Sequence, residues 1–376
     1  MNILIIPDSF KGSLSSVKVS DAICDGVMKI LPNSFLKKIP FSDGGEGAID
    51  FLNQNFDGEI EYIDTENSLG LKMEAPIYWL KKNKIAWIEL SQASGLSNIR
   101  KKEMNPMKTS TFGSGLLINH VLKSGCKKIY IGLGGSSTHD MGSGIFIALG
   151  GILLNSESLP VLKGGQGLLD CENIDFRNLN SNLKNCEIIL AVDVNNELLG
   201  LNGAAKTYSP QKGATIRMIE KLESGSIKFS KLIKKTTNKD VTTIKGGGAA
   251  GGTAAGLYGL ISARIKSGFD IFSELIELES QISRADLIIS GEGHLDYQSS
   301  YGKLVGKVGA LAKKYKKPLI CIAGKVSLKS KEFKALGITS AWPIKPKNYT
   351  LKKSMDNAYD LVKKSTEIAI KHHLNQ

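Results

Sequence analysis

Carboxylates, glycines and lysines recur at one kind of place in this 376-residue chain, the end of a short apolar run. Ile3 to Ile6 runs into PDSFKGSLSS (7–16), which presents Asp8, Ser9 and Lys11. Phe35 to Ile39 runs into PFSDGGEG (40–47), with Asp43 and Glu46, and Glu187 to Val192 ends at Asp193. Asp286 to Ile289 leads into SGEGHLDYQSSYGK (290–303), with Glu292, Asp296 and Lys303. The fullest case is IYIGLGGSSTHDMGSG (129–144), where Ile129 to Leu133 precedes Gly134, Gly135, Ser136, Ser137 and Thr138. Asp140 and Gly142 then lead into the apolar segment 145–149. Glycines let a ligand approach the main chain closely. Amides at a strand-to-helix turn can hold an anion, which the helix dipole favours. A second glycine loop, GGGAAGG at 246–252, offers Gly247 and Gly248 for the same purpose. The plainer alternatives are a glycine turn that binds nothing, tight packing through small residues at 246–252, and helix-capping carboxylates.

Positioning such groups takes alternating strands and helices. Ser15 or Ser16 can cap a helix to about Ile30, with Val19, Ala22, Ile23, Val27 and Ile30 on one face. Glu59 to Ile63, Met73 to Leu80 and Ile85 to Leu90 read as strands with no helix between them, so mixed pairing is expected there. NPMKTSTFGSG (105–115) opens another helix, with Thr109, Ser110 and Thr111 as caps and hydroxyls. Residues 155–186 read as irregular, with GGQGL (164–168) a turn or loop. Gln211, Lys212 and Gly213 precede a helix near Thr215. Helix, strand and helix alternate again from 303 to 372. The fold class expected is α/β with two α/β domains. One is a Rossmann-like parallel-sheet domain built from both chain ends, 1–62 and 283–376, and the other is a mixed-sheet α/β domain, 63–282, inserted between them. In open α/β sheets ligands bind beyond the carboxyl ends of the strands, where these residues fall.

A net charge of +13 and a pI of 9.3 raise the question of nucleic acid. The lysines are spread along the chain, and with 7% aromatic residues no basic stripe interleaved with rings forms. The charge reads as a solvated surface that also attracts an anionic substrate. Five widely spaced cysteines contain no CxxC pair, which argues against disulfides and zinc. No signal peptide and no apolar run of about 20 residues is visible, so a cytoplasmic protein off the membrane is expected.

Taken together, PDSFKGSLS, DGGEG, NPMKTSTFGSG, IGLGGSSTHDMGSG, DVNNELLGLNGAAKTYSPQKGA (193–214), GGGAAGG and GEGHLD (291–296) occur in an order that resembles the type 1 bacterial glycerate kinases over nearly the whole chain. The resemblance implies transfer of the ATP γ-phosphoryl group to D-glycerate with Mg²⁺, in a monomer or homodimer. It leans to the 2-hydroxyl as acceptor. Members usually carry Asn-Asp-Gly-Gly where this chain has His139, Asp140, Met141 and Gly142. They usually have Asn-Pro at Asn196-Glu197 and Arg-Leu-Asp at His294, Leu295 and Asp296. If that arginine meets a phosphate, His294 does so less strongly and only when protonated.

Phosphoryl transfer asks for positioning, cations against the phosphates and a carboxylate at the acceptor hydroxyl. Under this resemblance Lys11, Asp193 and Asp8 are the catalytic candidates, and Ser9, Asp43 and Glu46 the substrate-binding ones. Gly134, Gly135, Ser136, Ser137, Gly247 and Gly248 would hold phosphate, and Asp296 with Glu292 would hold Mg²⁺. The roles of Asp193 and Asp296 are interchangeable at this level. GxxxxGK[ST] is absent, and so is a GxGxxG after the first strand, which disfavours Walker-type sites and dehydrogenases. The competing function is a non-enzymatic sensor for an anionic sugar acid.

Overall fold

The structure is a computed structural model and describes residues 1–10, 12–41, 48–297, 304–346 and 348–375. Its strands, in chain order, are β1 Asn2–Ile5, β2 Phe35–Lys38, β3 Glu59–Glu66, β4 Lys72–Leu80, β5 Ile85–Glu89, β6 Lys128–Gly132 and β7 Ile152–Leu154. They continue with β8 Asn173–Asp175, β9 Glu187–Ala191, β10 Arg264–Lys266, β11 Leu287–Leu295, β12 Leu319–Val326 and β13 Ser340–Pro343. The chain divides into two compact units, residues 1–43 with 272–376, and residues 44–271.

The first unit carries a five-stranded sheet in the order β13-β12-β11-β1-β2, parallel throughout. Strands from both chain ends therefore share one sheet, as the alternation of β and α at each end suggests. β1 sits beside β11 with Ile3 opposite Leu287 and Ile5 opposite Ile289. Such strands are covered on both faces, which is why they read as continuous apolar runs. Helix Ser16–Ile30 is capped by Ser15, whose hydroxyl accepts from the Lys18 amide. It buries Val19, Ala22, Ile23 and Val27. The same core takes in Val362, Ala369 and Ile370 of the helix Ala358–Leu374. The two helices cross closely at Gly26, where a Cβ would lie 2.6 Å from the Lys363 carbonyl oxygen.

The second unit holds a six-stranded mixed sheet in the order β10-β9-β6-β5-β4-β3. β3, β4 and β5 pair antiparallel, and β5, β6, β9 and β10 pair parallel. Residues 48–56 pack with this sheet through specific bonds. Tyr78 OH donates to the Leu52 and Phe56 carbonyls, and the Ile49 amide donates to Glu89 Oε1. Four elements differ from the sequence reading. β7 and β8 form a small antiparallel pair, and Gly165–Asp170 is a helix where a loop was expected. β10 adds a strand that the sequence did not suggest. The three strands are three residues long, too short to show a period of two. Gly165 is packed rather than loose, because a Cβ there would crowd the Pro106 carbonyl oxygen at 2.7 Å.

β11 is the middle strand of the first sheet, and Ile289 on it is fully buried. Truncating it leaves a cavity that flanking strands cannot close. Ile289→Ala should lower unfolding free energy by about 2–5 kcal/mol in urea titrations, and a loss below about 1 kcal/mol would show that this sheet is not close-packed at its centre.

Candidate active site

In the first unit, candidate groups gather at the carboxyl edge of the parallel sheet. Beyond β1, the Ile6 amide donates to Ile289 O at 2.9 Å and the Asp8 amide to Gly291 O at 2.8 Å. The pairing with β11 thus runs on to Asp8 and brings it beside the strand that carries Glu292. The Ser9 amide folds back onto Asp8 Oδ1 at 2.6 Å, and the Ser9 hydroxyl donates to the same oxygen at 3.3 Å. Side chains two apart share a face of a strand, so Glu292, His294 and Asp296 line up along β11 and its end. Glu292 is buried, whereas His294 and Asp296 are half-buried. His294 is held from both sides, with Nε2 at 2.7 Å from Ser327 Oγ and Nδ1 at 3.4 Å from Asp296 Oδ2. Lys11, Asp43, Glu46 and Lys303 lie outside the described residues.

Mg²⁺ takes one or two protein carboxylates and completes its shell with phosphate and water, so one of these carboxylates suffices. Glu292 and Asp296, four residues apart on extended chain, stand about 13 Å from each other and would not both ligate one ion directly. Among the described residues there is no cluster of three or more His, Cys, Asp or Glu side chains that would form an all-protein metal cage.

In the second unit the glycine loop follows β6, and Asp193 follows the neighbouring β9, whose Ala191 pairs with Gly132. Asp193 is exposed, and its Oδ1 accepts the Gly268 amide at 3.0 Å, at the start of the helix Gly268–Leu275. One oxygen of this carboxylate therefore caps a helix. Gly134 and Gly135 are exposed, and nothing lies within 4 Å of a Cβ built on Gly134. Gly135 has φ +66°, a conformation that glycine adopts without cost. Among the described residues, no hydrogen bond occupies the amides of Gly134, Gly135 or Ser136. Ser137 differs: its amide and hydroxyl both meet Ser94 O at 3.0 Å, and the hydroxyl also reaches Ser68 Oγ at 2.9 Å. The open part of the loop is thus Gly134 and Gly135, followed by the buried Ser136, with Ser137 serving as its anchor.

Gly247 and Gly248 are buried, with amides given to Ile244 O at 2.8 Å and Asn196 O at 2.9 Å. Their geometry is that of a packing loop. Just beyond, Ala250, Gly251 and Gly252 have φ +52°, +65° and +82°, a left-handed break inside the segment Ala249–Ile261. That break turns Gly251 O toward the Met141 amide at 3.2 Å. Met141 itself takes φ +50°, at the position where the resembling family usually carries glycine.

Beneath the open loop lies a polar core that the sequence did not single out. Asp140 is fully buried and accepts from the Thr111 amide at 2.8 Å, Thr111 Oγ1 at 2.9 Å, the Gly142 and Gly144 amides at 3.2 Å and Ser110 Oγ at 3.3 Å. Burial pushes its carboxyl above the usual range, and these donors hold it back. Lys212 is 2% exposed, and its Nζ donates to Ser136 Oγ and Thr138 O, each at 2.7 Å. His139 is fully buried with Nε2 at 3.1 Å from Ser226 Oγ. Burial, and then the charge of Lys212, lower its pKa to about 3. Locally, Gln211-Lys212-Gly213 reads only as the lead-in to a helix near Thr215, so only the hydroxyl-rich sequences at 109–111 and 136–138 could have hinted at a buried polar network.

A neutral, buried His139 sets a pH dependence. Its folded pKa lies below the value of about 6.5 in the unfolded chain, so the unfolded state binds more protons between those values. Stability should fall as pH drops from 6.5 toward 3, by up to about 1.4 kcal/mol per pH unit from this residue. His139→Asn should flatten that slope in thermal melts, and an unchanged slope would show that His139 is not buried in the neutral form.

The sequence profile of the glycerate kinase family matches residues 3–373. The chain is 36% identical to a glycerate kinase of Halalkalibacterium halodurans over 363 residues, 96% of each chain. It is 37% identical to glycerate 2-kinase of Escherichia coli over 360 residues, 96% of this chain and 94% of that one. A crystal structure from Salmonella typhimurium, described as a candidate glycerate kinase 2, superposes with a TM-score of 0.88 over the full length of both chains at 35% identity.

Proposed function

Because the chain belongs to the glycerate kinase family and is a kinase, we propose that it transfers the γ-phosphoryl group of ATP to the 2-hydroxyl of D-glycerate, with Mg²⁺, in the cytoplasm. The observation that carries this reading is the pair of neighbouring strand ends in the second unit. The open amides of Gly134 to Ser136 follow β6, and the exposed Asp193 follows β9. An anion cradle next to a carboxylate is what transfer to an alcohol requires. The 2-hydroxyl is supported by the similarity to the glycerate 2-kinase of E. coli.

Asp193 accepts the proton of the 2-hydroxyl as that oxygen bonds to the γ-phosphorus and the bond to the ADP oxygen breaks. The Gly134 to Ser136 amides hold phosphate oxygens, with Ser137 fixing the loop on Ser94. Gly247 and Gly248 support this loop through the Gly251–Met141 contact. Glycerate is bound by Asp8 and Ser9 with Asp43, Glu46 and Lys11, and Lys11 offsets the charge of carboxylate or phosphate. Mg²⁺, when bound, neutralises charge on the phosphate oxygens. Asp296 would hold it, with Glu292 reaching it through water, and His294 would fix Asp296 in place. The protein is read as working without nucleic acid or membrane, as a monomer or homodimer. Among the described residues no helix is long and apolar enough to cross a membrane.

Two experiments test this. Protein incubated with ATP, Mg²⁺ and D-glycerate should release ADP, with 2-phosphoglycerate as product in phosphorus NMR. 3-Phosphoglycerate would move the acceptor to the other hydroxyl, and absence of ADP would remove the activity. Separately, Asp193→Asn should lose about 10²-fold or more in kcat at every Mg²⁺ concentration. Asp296→Asn should recover part of its rate as Mg²⁺ is raised. Recovery of the first variant and not the second would exchange the two roles.

A further inference from the structure

Lys212 is a fully desolvated cation that the scheme above leaves idle. It sits in the turn after the helix Ala204–Tyr208, and both of its hydrogen bonds end on the segment that follows β6. Burying an ammonium is costly, and the cost is tolerated where its partners and a counter-charge demand it. Here the partners are the hydroxyl of Ser136, whose own amide is open, and the carbonyl of Thr138. Ser137 on Ser94 and Ser68 and the donors around Asp140 hold the rest of the segment, while Lys212 is what meets the side chain of Ser136 and the carbonyl of Thr138. Among the described residues, Thr138 Oγ1 and His139 Nδ1 are buried without a hydrogen-bond partner.

We propose that Lys212 is the positioning residue of the phosphate loop: it fixes Ser136 and Thr138 so that the amides of Gly134 to Ser136 converge on one anion, and its charge seats that anion from beneath. The proposal takes the identity of the anion, a nucleotide phosphate, from the reading above. The coupling of anion to lysine stands on the two bonds alone.

The charge state of Lys212 follows from its surroundings. Burial lowers its pKa to about 7, against an opposing pull from Asp140. His139 faces it from the same segment and is neutral. Among the described residues no other charged group shifts it. A neutral amine keeps two N–H donors, so the bonds to Ser136 and Thr138 survive deprotonation while the charge does not. An anion on the loop favours the ammonium. Nucleotide binding above the pKa must then take up a proton, and affinity must fall as pH rises through about 7. A lysine that only filled space would show neither effect.

The test is calorimetry of magnesium AMP-PNP binding to the whole protein, in buffers of different ionisation heat, at a pH about one unit above that value. The wild type should take up about half a proton or more per nucleotide, as a preference of ~10-fold or more for the charged lysine requires. Lys212→Met, of similar length and no charge, should take up none and bind about 10-fold or more weakly below the pKa. Ser136→Ala keeps the charge and removes one anchor, so it should retain proton uptake while losing affinity several-fold. Binding without uptake in the wild type overturns the proposal. Uptake that persists in Lys212→Met, or unchanged affinity in Ser136→Ala, does the same. If Lys212→Met fails to fold, the wild-type and Ser136→Ala measurements decide alone. The kinase reading fails differently, through absence of ADP release with D-glycerate whatever the proton count.

Discussion

Asp140 is fully buried, so the protein has to supply what water would have given its carboxylate. Its donors come from two separate stretches, Ser110 and Thr111 on one side and Gly142 and Gly144 on the other. Satisfying one carboxylate therefore ties the start of the helix Phe112–Lys123 to the start of the helix Ser143–Ala148. The Thr111 hydroxyl donates to Asp140 and accepts the Ile145 amide at 3.1 Å, which closes the link. The segment 134–140 is pulled taut between β6 and this anchor. Its first residues are left outside with open amides, and its last are drawn inside. The charge of Lys212 feels the buried negative charge of Asp140.

Glycine makes this approach geometrically feasible. A Cβ on Gly144 would lie 2.5 Å from the Phe112 amide nitrogen, and one on Gly251 would lie 2.6 Å from His139 Cα. These are contacts of main chain on main chain, so no side-chain rearrangement relieves them. The left-handed turn at 250–252 delivers Gly251 O to the Met141 amide, and Met141 meets it with a positive φ of its own. Met141 is a bulky residue in a region that glycine occupies freely, so this contact stores backbone strain that surrounding packing holds in place. The two glycine-rich motifs thus serve different ends. Gly134 and Gly135 are open to solvent, whereas the 246–252 loop is a packing surface for the first.

The first unit shows how far a parallel sheet organises chemistry before any side chain is considered. All its strands point the same way, so their carboxyl ends, and the residues that follow β1 and β11, come to one edge. Asp8 and Glu292 are separated by most of the sequence and reach adjoining positions because β1 pairs with β11. His294 shows what the edge does with a substituted residue: it is pinned between Ser327 and Asp296 and so orders a carboxylate.

Much of this was legible in the residue pattern. The alternation of β and α at both ends announced a shared parallel sheet, and the strands at 59–90 with no helix between them announced the mixed sheet. Apolar periodicity is a local signal, and it reports long elements such as Ser16–Ile30 well and three-residue strands such as β10 not at all. Strand-end motifs were visible too, because a turn needs glycines and polar residues in consecutive positions. Tertiary structure alone decided which amides of those motifs stay open. Ser136 and Ser137 are adjacent and chemically identical, yet one amide is spoken for by Ser94 and the other is not. Lys212 and His139 went unread for the same reason. Whether a lysine is a solvated surface charge or a buried clamp depends on how much chain folds over it, and that chain comes from distant stretches of sequence that no local pattern records.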